Sequence, residues 1–222
     1  MKKIRLFLLS LKEIFAVLFI QYFIIIISNL FFDAKDNIYF CSIMLCIFDI
    51  IYIIFNKKNL ITNFNFKYNY LLYIMLGASI STLYNMIIYG FNLYSSSSNN
   101  ELIFLDIFIS GLVGPIFEEI LFRVKFIFKI EKIINNKKIT IFITSLIFAI
   151  LHFNIISGII AFVIGIINGY IYIKTRDVLK ISLVHISLNI MSLLINKYNL
   201  TIFVLGILLM IISLLLLKKK IK

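Results

Sequence analysis

The chain has 222 residues, of which 62% are hydrophobic and 14% charged, with a formal net charge of +12 and a mean hydropathy of +1.07. A soluble domain averages about 45–50% apolar and about 25% charged residues, so this composition excludes an ordinary globular domain and points to a polytopic membrane protein. The lysines stand in short segments between apolar runs, as cytoplasmic anchors do, so no nucleic-acid partner is expected from the positive charge.

In chain order the sequence divides into about eight apolar runs, judged against the roughly 17–25 residues that a spanning helix needs. They are Phe15–Phe32, Ile38–Phe55, Tyr70–Tyr89, Leu102–Phe122, Ile139–Phe153, Ile155–Ile173, Leu179–Ile195 and Leu200–Leu217. The fifth is short and runs almost directly into the sixth. Met1-Lys2-Lys3-Ile4-Arg5 precedes the first run, and no A-x-A-like cleavage site follows it, so a retained first span is expected. Cys41 and Cys46 lie five apart in the second run, about 140° around a helix at 100° per residue, which argues against a disulfide or a metal pair.

The loops alternate in charge. Lys2, Lys3 and Arg5 precede the first run, and Asp33, Lys35 and Asp36 follow it. Lys57, Lys58 and Lys67 fill the second loop, whereas the third, Ser95–Ser98 with Asn99, Asn100 and Glu101, has no base. Lys125 to Lys138 form a basic fourth loop, Lys174, Arg176 and Lys180 mark the sixth, and the chain ends Lys218-Lys219-Lys220-Ile221-Lys222. Positive loops stay cytoplasmic, so both termini and every second loop are expected on that side. The expected fold is an all-α, polytopic integral membrane bundle of about eight transmembrane helices, with residues 1–222 forming one integral membrane domain.

Charges inside such runs stand out, because an ionisable group within a span costs about 3 kcal/mol or more and by default marks a functional site. The fourth run ends in Gly114-Pro115-Ile116-Phe117-Glu118-Glu119-Ile120-Leu121-Phe122-Arg123. Glu119 and Arg123, four apart, share a helix face and can pair; Glu118 faces elsewhere. Pro115, the single proline, is expected to kink the helix and open space beside Glu118. The only two histidines, His152 and His185, fall in the fifth and seventh runs and are expected within apolar helices. Phe148 stands one turn before His152, and Asn189 one turn after His185.

A carboxylate, two imidazoles and a carboxamide form a hydrolytic set. The carboxylate can take a proton from water, while an imidazole and a carboxamide can donate to the oxyanion of a tetrahedral intermediate. Two histidines and one glutamate are equally a zinc ligand set with an open position, so Glu118, His152 and His185 are also candidate ligands for one zinc ion, although no HExxH occurs. The residues leave both chemistries open. Depth adds a constraint: with Ile139 at the cytoplasmic side, His152 is about 20 Å along the fifth helix, whereas His185 is only about 9 Å from Leu179. A common depth with Glu118 requires the fifth helix to begin near Asn135, or the fourth and fifth to tilt together.

Glu118-Glu119-xxx-Arg123, Phe148-xxx-His152 and His185-xxx-Asn189, in that order on separate membrane helices, resemble the three motifs of the CPBP (Abi) family. These are the CAAX-protease and bacteriocin-processing enzymes related to type II CAAX prenyl endopeptidases. The resemblance covers 111–192, the expected catalytic core; the first three runs match only in being hydrophobic. It implies an eight-helix intramembrane protease fold with a cavity reached from the cytoplasm. By resemblance, Glu118 activates the attacking water with His152, His185 and Asn189 stabilise the oxyanion, and Arg123 pairs with Glu119 to hold the helix. Family members are described both as metalloproteases and as metal-independent glutamate proteases, so the resemblance implies either no cofactor or one zinc.

The expected activity is therefore an intramembrane endopeptidase acting on a hydrophobic peptide or membrane protein among membrane lipids. The Ile, Asn and Lys bias suggests an AT-rich bacterial genome and hence a bacterial cytoplasmic membrane. A non-catalytic reading, as a bacteriocin immunity protein or scaffold, has all three retained motifs against it. A proton-relay transporter lacks inverted repeats and paired broken helices. Asp49 is expected to pair with a polar neighbour or line a cavity, and Asp106 to be interfacial. Lys125, Lys129 and Lys132 with Phe126 and Phe128 form a basic amphipathic segment, expected on the inner leaflet or as a gate over the site.

Overall fold

The structure, a computed structural model, describes residues 2–32, 34–56, 69–93, 105 and 107–220. Eight helices follow one another along them, and no strand occurs among the described residues. We number them α1 (Lys2–Phe31), α2 (Ala34–Phe55), α3 (Asn69–Gly90), α4 (107–133), α5 (Lys137–Ile150), α6 (Ile155–Thr175), α7 (Val178–Leu194) and α8 (Leu200–Lys220). Asp33, Lys57, Lys58, Lys67, the stretch Ser95–Ser98 with Asn99, Asn100 and Glu101, Asp106, Ile221 and Lys222 lie outside the described residues, as do the side chains of Lys2, Lys3, Lys35, Asp36, Lys219 and Lys220.

The apolar runs thus become helices, and five of these are long and apolar enough to cross a membrane: Ile4–Phe31, Asn37–Phe55, Tyr70–Gly90, Ile155–Thr175 and Leu200–Lys218. The other three depart from the expected spans for local reasons. α5 has 14 residues, about 21 Å at 1.5 Å per residue against a hydrocarbon core of about 30 Å. α7 is a shorter apolar helix of 17 residues. α4 carries most of the intramembrane charge and does not stop at Phe122; it continues to Ile133, so Lys125, Lys129 and Lys132 belong to it.

α4 is irregular around its single proline. It opens as a π-helix over Ile107–Val113, becomes α-helical over Gly114–Glu119, widens again to a π-helix over Ile120–Ile127 and ends α-helical over Phe128–Ile133. Single π turns within α-helices are frequent at functional sites, because the wider turn re-aims side chains. Two of them flank the short segment that carries Glu118 and Glu119.

α5 starts at Lys137 because Asn136 caps it, its side chain accepting from Lys138 N at 3.0 Å and Ile139 N at 3.2 Å. It ends at Ile150, earlier than the expected Phe153. Phe153 adopts a left-handed backbone, φ 50°, which no α-helix continues through. Asn154 then caps α6, accepting from Ser157 N at 3.0 Å. The α6–α7 connection repeats the device, with Arg176 at φ 51° and Asp177 accepting from Lys180 N at 3.4 Å.

The chain forms two compact units, Met1–Leu60 with Phe117–Gly169, and Ile61–Ile116 with Tyr170–Lys222. In the first, α1 packs on α2 and on the later part of α4, which also packs on α5. A Cβ at Gly165 of α6 would stand 2.8 Å from Ser145 Cβ, so the glycine permits the closeness of α5 and α6. In the second unit α3 packs along α7 and α8, and α7 also packs on Ile107–Val113. A Cβ at Gly77 would meet the Val184 carbonyl oxygen at 2.0 Å, so only glycine allows that approach of α3 to α7.

Candidate active site

Glu118 and Glu119 are neighbours in sequence with unlike surroundings. Glu119 is 0% exposed and Arg123 2%. Arg123 Nε lies 3.2 Å from Glu119 Oε2, and Asn168 Nδ2 donates to Glu119 Oε1 at 3.0 Å. The guanidinium carbon stands 4.5 Å from the centre of the Phe148 ring, and that ring meets Phe122 edge-on at 4.9 Å. Buried charges are tolerated when they are paired. Here the Glu119 carboxylate and the Phe148 face meet the guanidinium, a carboxamide meets the carboxylate, and Arg123 Nη1 and Nη2 have no hydrogen-bond partner among the described residues. Glu118, by contrast, is only half-buried.

The level of Glu118 is set by its neighbour Phe117, which meets Phe48 at 6.2 Å and Tyr52 at 5.1 Å, both edge-on, from α2. Asp49 of the same helix is 7% exposed, accepts a hydrogen bond from Gln21 Nε2 at 3.2 Å and lies within electrostatic reach of Glu118. Further along α4, Lys129 Nζ is 2.7 Å from Glu13 Oε2, and Lys125 pairs with Glu13 Oε1. Tyr52 Oη donates to that same oxygen at 2.8 Å, and Lys125 Nζ stands 4.6 Å from the Tyr52 ring centre. The basic segment is therefore not a free surface helix: Phe126 is buried, and two of its lysines turn inward to a glutamate of α1.

His152 is not inside a helix. It sits in the turn after α5, its N–H donating to the Ala149 carbonyl at 3.1 Å. Its ring meets Phe148 edge-on at 4.8 Å, and Nδ1 lies 2.9 Å from the Phe148 carbonyl oxygen. A carbonyl only accepts, so this contact puts the proton of the neutral ring on Nδ1 and leaves the Nε2 lone pair available. Phe148 thereby touches both the Arg123 guanidinium and the His152 imidazole. An apolar groove of about 450 Å³, lined among others by Leu146, Ala149, Phe153 and Ile159, opens beside this turn.

In the second unit His185 is buried on α7. Asn189, one turn later and half-buried, donates through Nδ2 to the Ser110 carbonyl at 2.8 Å. Asn85 of α3 and Ser192 of α7 exchange hydrogen bonds at 3.2 and 3.4 Å. Of the sequence candidates, Glu118, Glu119, Arg123, Phe148 and His152 thus belong to the first unit, and His185 and Asn189 to the second.

Residues 100–191 match the family model described as Rce1-like, type II CAAX prenyl endopeptidase. The match spans 92 of the 222 residues and makes this segment similar to the type II CAAX prenyl endopeptidases. No curated protein and no solved structure matches it. The matched segment holds every candidate named above from Glu118 to Asn189, and CAAX proteases are hydrolases that cut peptide bonds. A catalytic zinc takes three protein ligands and keeps one open position. Among the described residues no group of three or more His, Cys, Asp or Glu side chains is gathered to hold an ion; of the three zinc candidates, Glu118 and His152 belong to the first unit and His185 to the second.

Asn168 and Glu13, which complete these polar contacts on α6 and α1, have partners that no local spacing points to. Asn168 is a polar residue within a largely apolar stretch of α6, a signal that calls for a partner; Glu13 stands directly after Lys12 in the charged first half of α1, where an acid carries no such signal. Ser110 had no such signal, because its carbonyl rather than its hydroxyl is used.

Proposed function

We propose, from the match of residues 100–191 to the type II CAAX prenyl endopeptidase model, that this chain is a member of the CAAX-protease family and an intramembrane endopeptidase for hydrophobic peptides or membrane proteins. Glu118 and His152 activate water, which adds to the scissile carbonyl while the proton passes to the carboxylate or to His152 Nε2. His185 and Asn189 donate to the resulting oxyanion. The C–N bond then breaks, the proton goes to the leaving amine and the carbonyl re-forms as a carboxylic acid. The observation that carries this reading is the division of the two adjacent acids: Glu119 is fully buried and committed to Arg123, whereas Glu118 keeps an exposed side. The Nε2 lone pair of His152 and the apolar groove beside its turn support it. In this reading the protein is multi-pass in a bacterial cytoplasmic membrane with both termini cytoplasmic, surrounded by lipid, and cuts near that face; bacteriocin-type leaders and membrane regulators are the substrate class considered first.

The test is cleavage of a fluorogenic apolar peptide by detergent-purified protein. Glu118→Ala is expected to lower kcat by about 10²–10⁴-fold with unchanged thermal stability; wild-type activity in that variant would sink the proposal. Chelator treatment is expected to leave activity intact. Loss on chelation with recovery on added zinc would instead transfer water activation to a metal.

A further inference from the structure

α4 begins as a π-helix over Ile107–Val113 and turns α-helical at Gly114. In a π-helix each amide donates to the carbonyl five residues earlier, so the donor due to the Ser110 carbonyl is the amide of residue 115. That residue is Pro115, the only proline of the chain, and proline has no N–H. The Ser110 carbonyl is thereby released from the helix, and Asn189 Nδ2 reaches it at 2.8 Å. A main-chain acceptor without a donor is costly in apolar surroundings, so the side-chain amide repairs what the proline leaves open.

We infer that Pro115 is a positioning residue for Asn189, acting through the Ser110 carbonyl that it frees. The carbonyl takes one of the two hydrogens of the Asn189 carboxamide, which fixes the plane of the amide. The second hydrogen then has a defined direction. All three residues lie within one unit, and α7, which carries Asn189, packs on Ile107–Val113. The catalytic consequence rests on the proposed role of Asn189 as an oxyanion donor; the bond and its dependence on the proline do not.

The experiment uses the full chain in detergent and separates these two layers. Pro115→Ala supplies an amide that competes for the Ser110 carbonyl. The ester analogue of that variant, with lactic acid at position 115, has the same methyl side chain and no donor. Asn189→Ala is expected to lower the melting temperature by about 2–4 °C in the wild-type and ester backgrounds and to cost nothing further in the Pro115→Ala background. An equal loss in all three backgrounds overturns the inference, whatever the activity. For turnover, Pro115→Ala is expected to reduce kcat about tenfold with KM within about twofold, and the ester analogue to recover it. If the thermal coupling is present while neither Pro115→Ala nor Asn189→Ala changes kcat, the positioning stands and the oxyanion role of Asn189 falls. The ester analogue also keeps the question answerable if Pro115→Ala does not fold, because it carries the same side chain without the competing donor.

Discussion

The two units hold their interior polar groups by different physics. In the first, charge meets charge: Glu119 with Arg123, and Glu13 with Lys125 and Lys129. In the second, the Asp177–Lys180 pair is only part-buried, and neutral amides and hydroxyls meet each other and the main chain, through Asn85 with Ser192 and Asn189 with the Ser110 carbonyl, while helices are fixed by close backbone approach at Gly77. The fully buried charge pair, Glu119 with Arg123, is in the first. Removing one partner of a buried ion pair leaves an uncompensated charge, at a cost of about 3–5 kcal/mol. Removing a neutral hydrogen bond between membrane helices costs about 0.6–2 kcal/mol. The first unit is therefore brittle toward single substitutions and the second is graded.

The sharpest way to break this contrast is Arg123→Met, which strands Glu119. A loss of about 3–5 kcal/mol is expected, read as denaturant unfolding in detergent, with much of it regained in the double variant Arg123→Met/Glu119→Gln. A double variant no better than the single one means that packing on Phe148, and not charge, is what holds this helix. Next comes Gly77→Ala, where the added methyl would sit 2.0 Å from the Val184 carbonyl oxygen. Because the obstacle is backbone, α3 and α7 must separate, and about 1–3 kcal/mol is expected to be lost; an unchanged melting temperature would show that the second unit yields at this contact. The finest comparison sets one asparagine against another. Asn168→Ala removes a donor to a carboxylate and is expected to cost about 1.5–3 kcal/mol, against about 0.6–1.7 kcal/mol for Asn85→Ala. Equal losses would erase the distinction between the units.

Apolar length is the most legible quantity in a membrane sequence, and the eight runs reappear as eight helices. Their ends were less legible. The fifth run looks continuous to Phe153 because Leu151, His152 and Phe153 suit a helix, yet the left-handed backbone at Phe153 and the cap at Asn154 stop it first. The pairing of Glu119 with Arg123 depends only on a spacing of four and was open to local reasoning. Asn168 and Glu13 reach partners far away in sequence, which no local period encodes. A run of bases beside aromatic residues suits the inner leaflet or a gate over the site, which is what Lys125 and Lys129 suggest in sequence; their acidic partner Glu13 is more than a hundred positions earlier, on α1.

The π turns of α4 also bear on how this chain can change. Each is a place where the helix accommodates a residue that an α-helix of the same rise would not. Deleting one codon within Ile107–Val113 would shorten α4 without breaking it, by letting the wide turn tighten to an α turn. Because the tightened turn absorbs the loss, Glu118 would keep close to its present heading, and only a deletion at 111–113 would end the five-residue offset between Ser110 and Pro115. Loss of a single residue in this short stretch is thus a milder change than the same loss in a regular α-helix, because the wide turn can take it up and leave every functional side chain near its place.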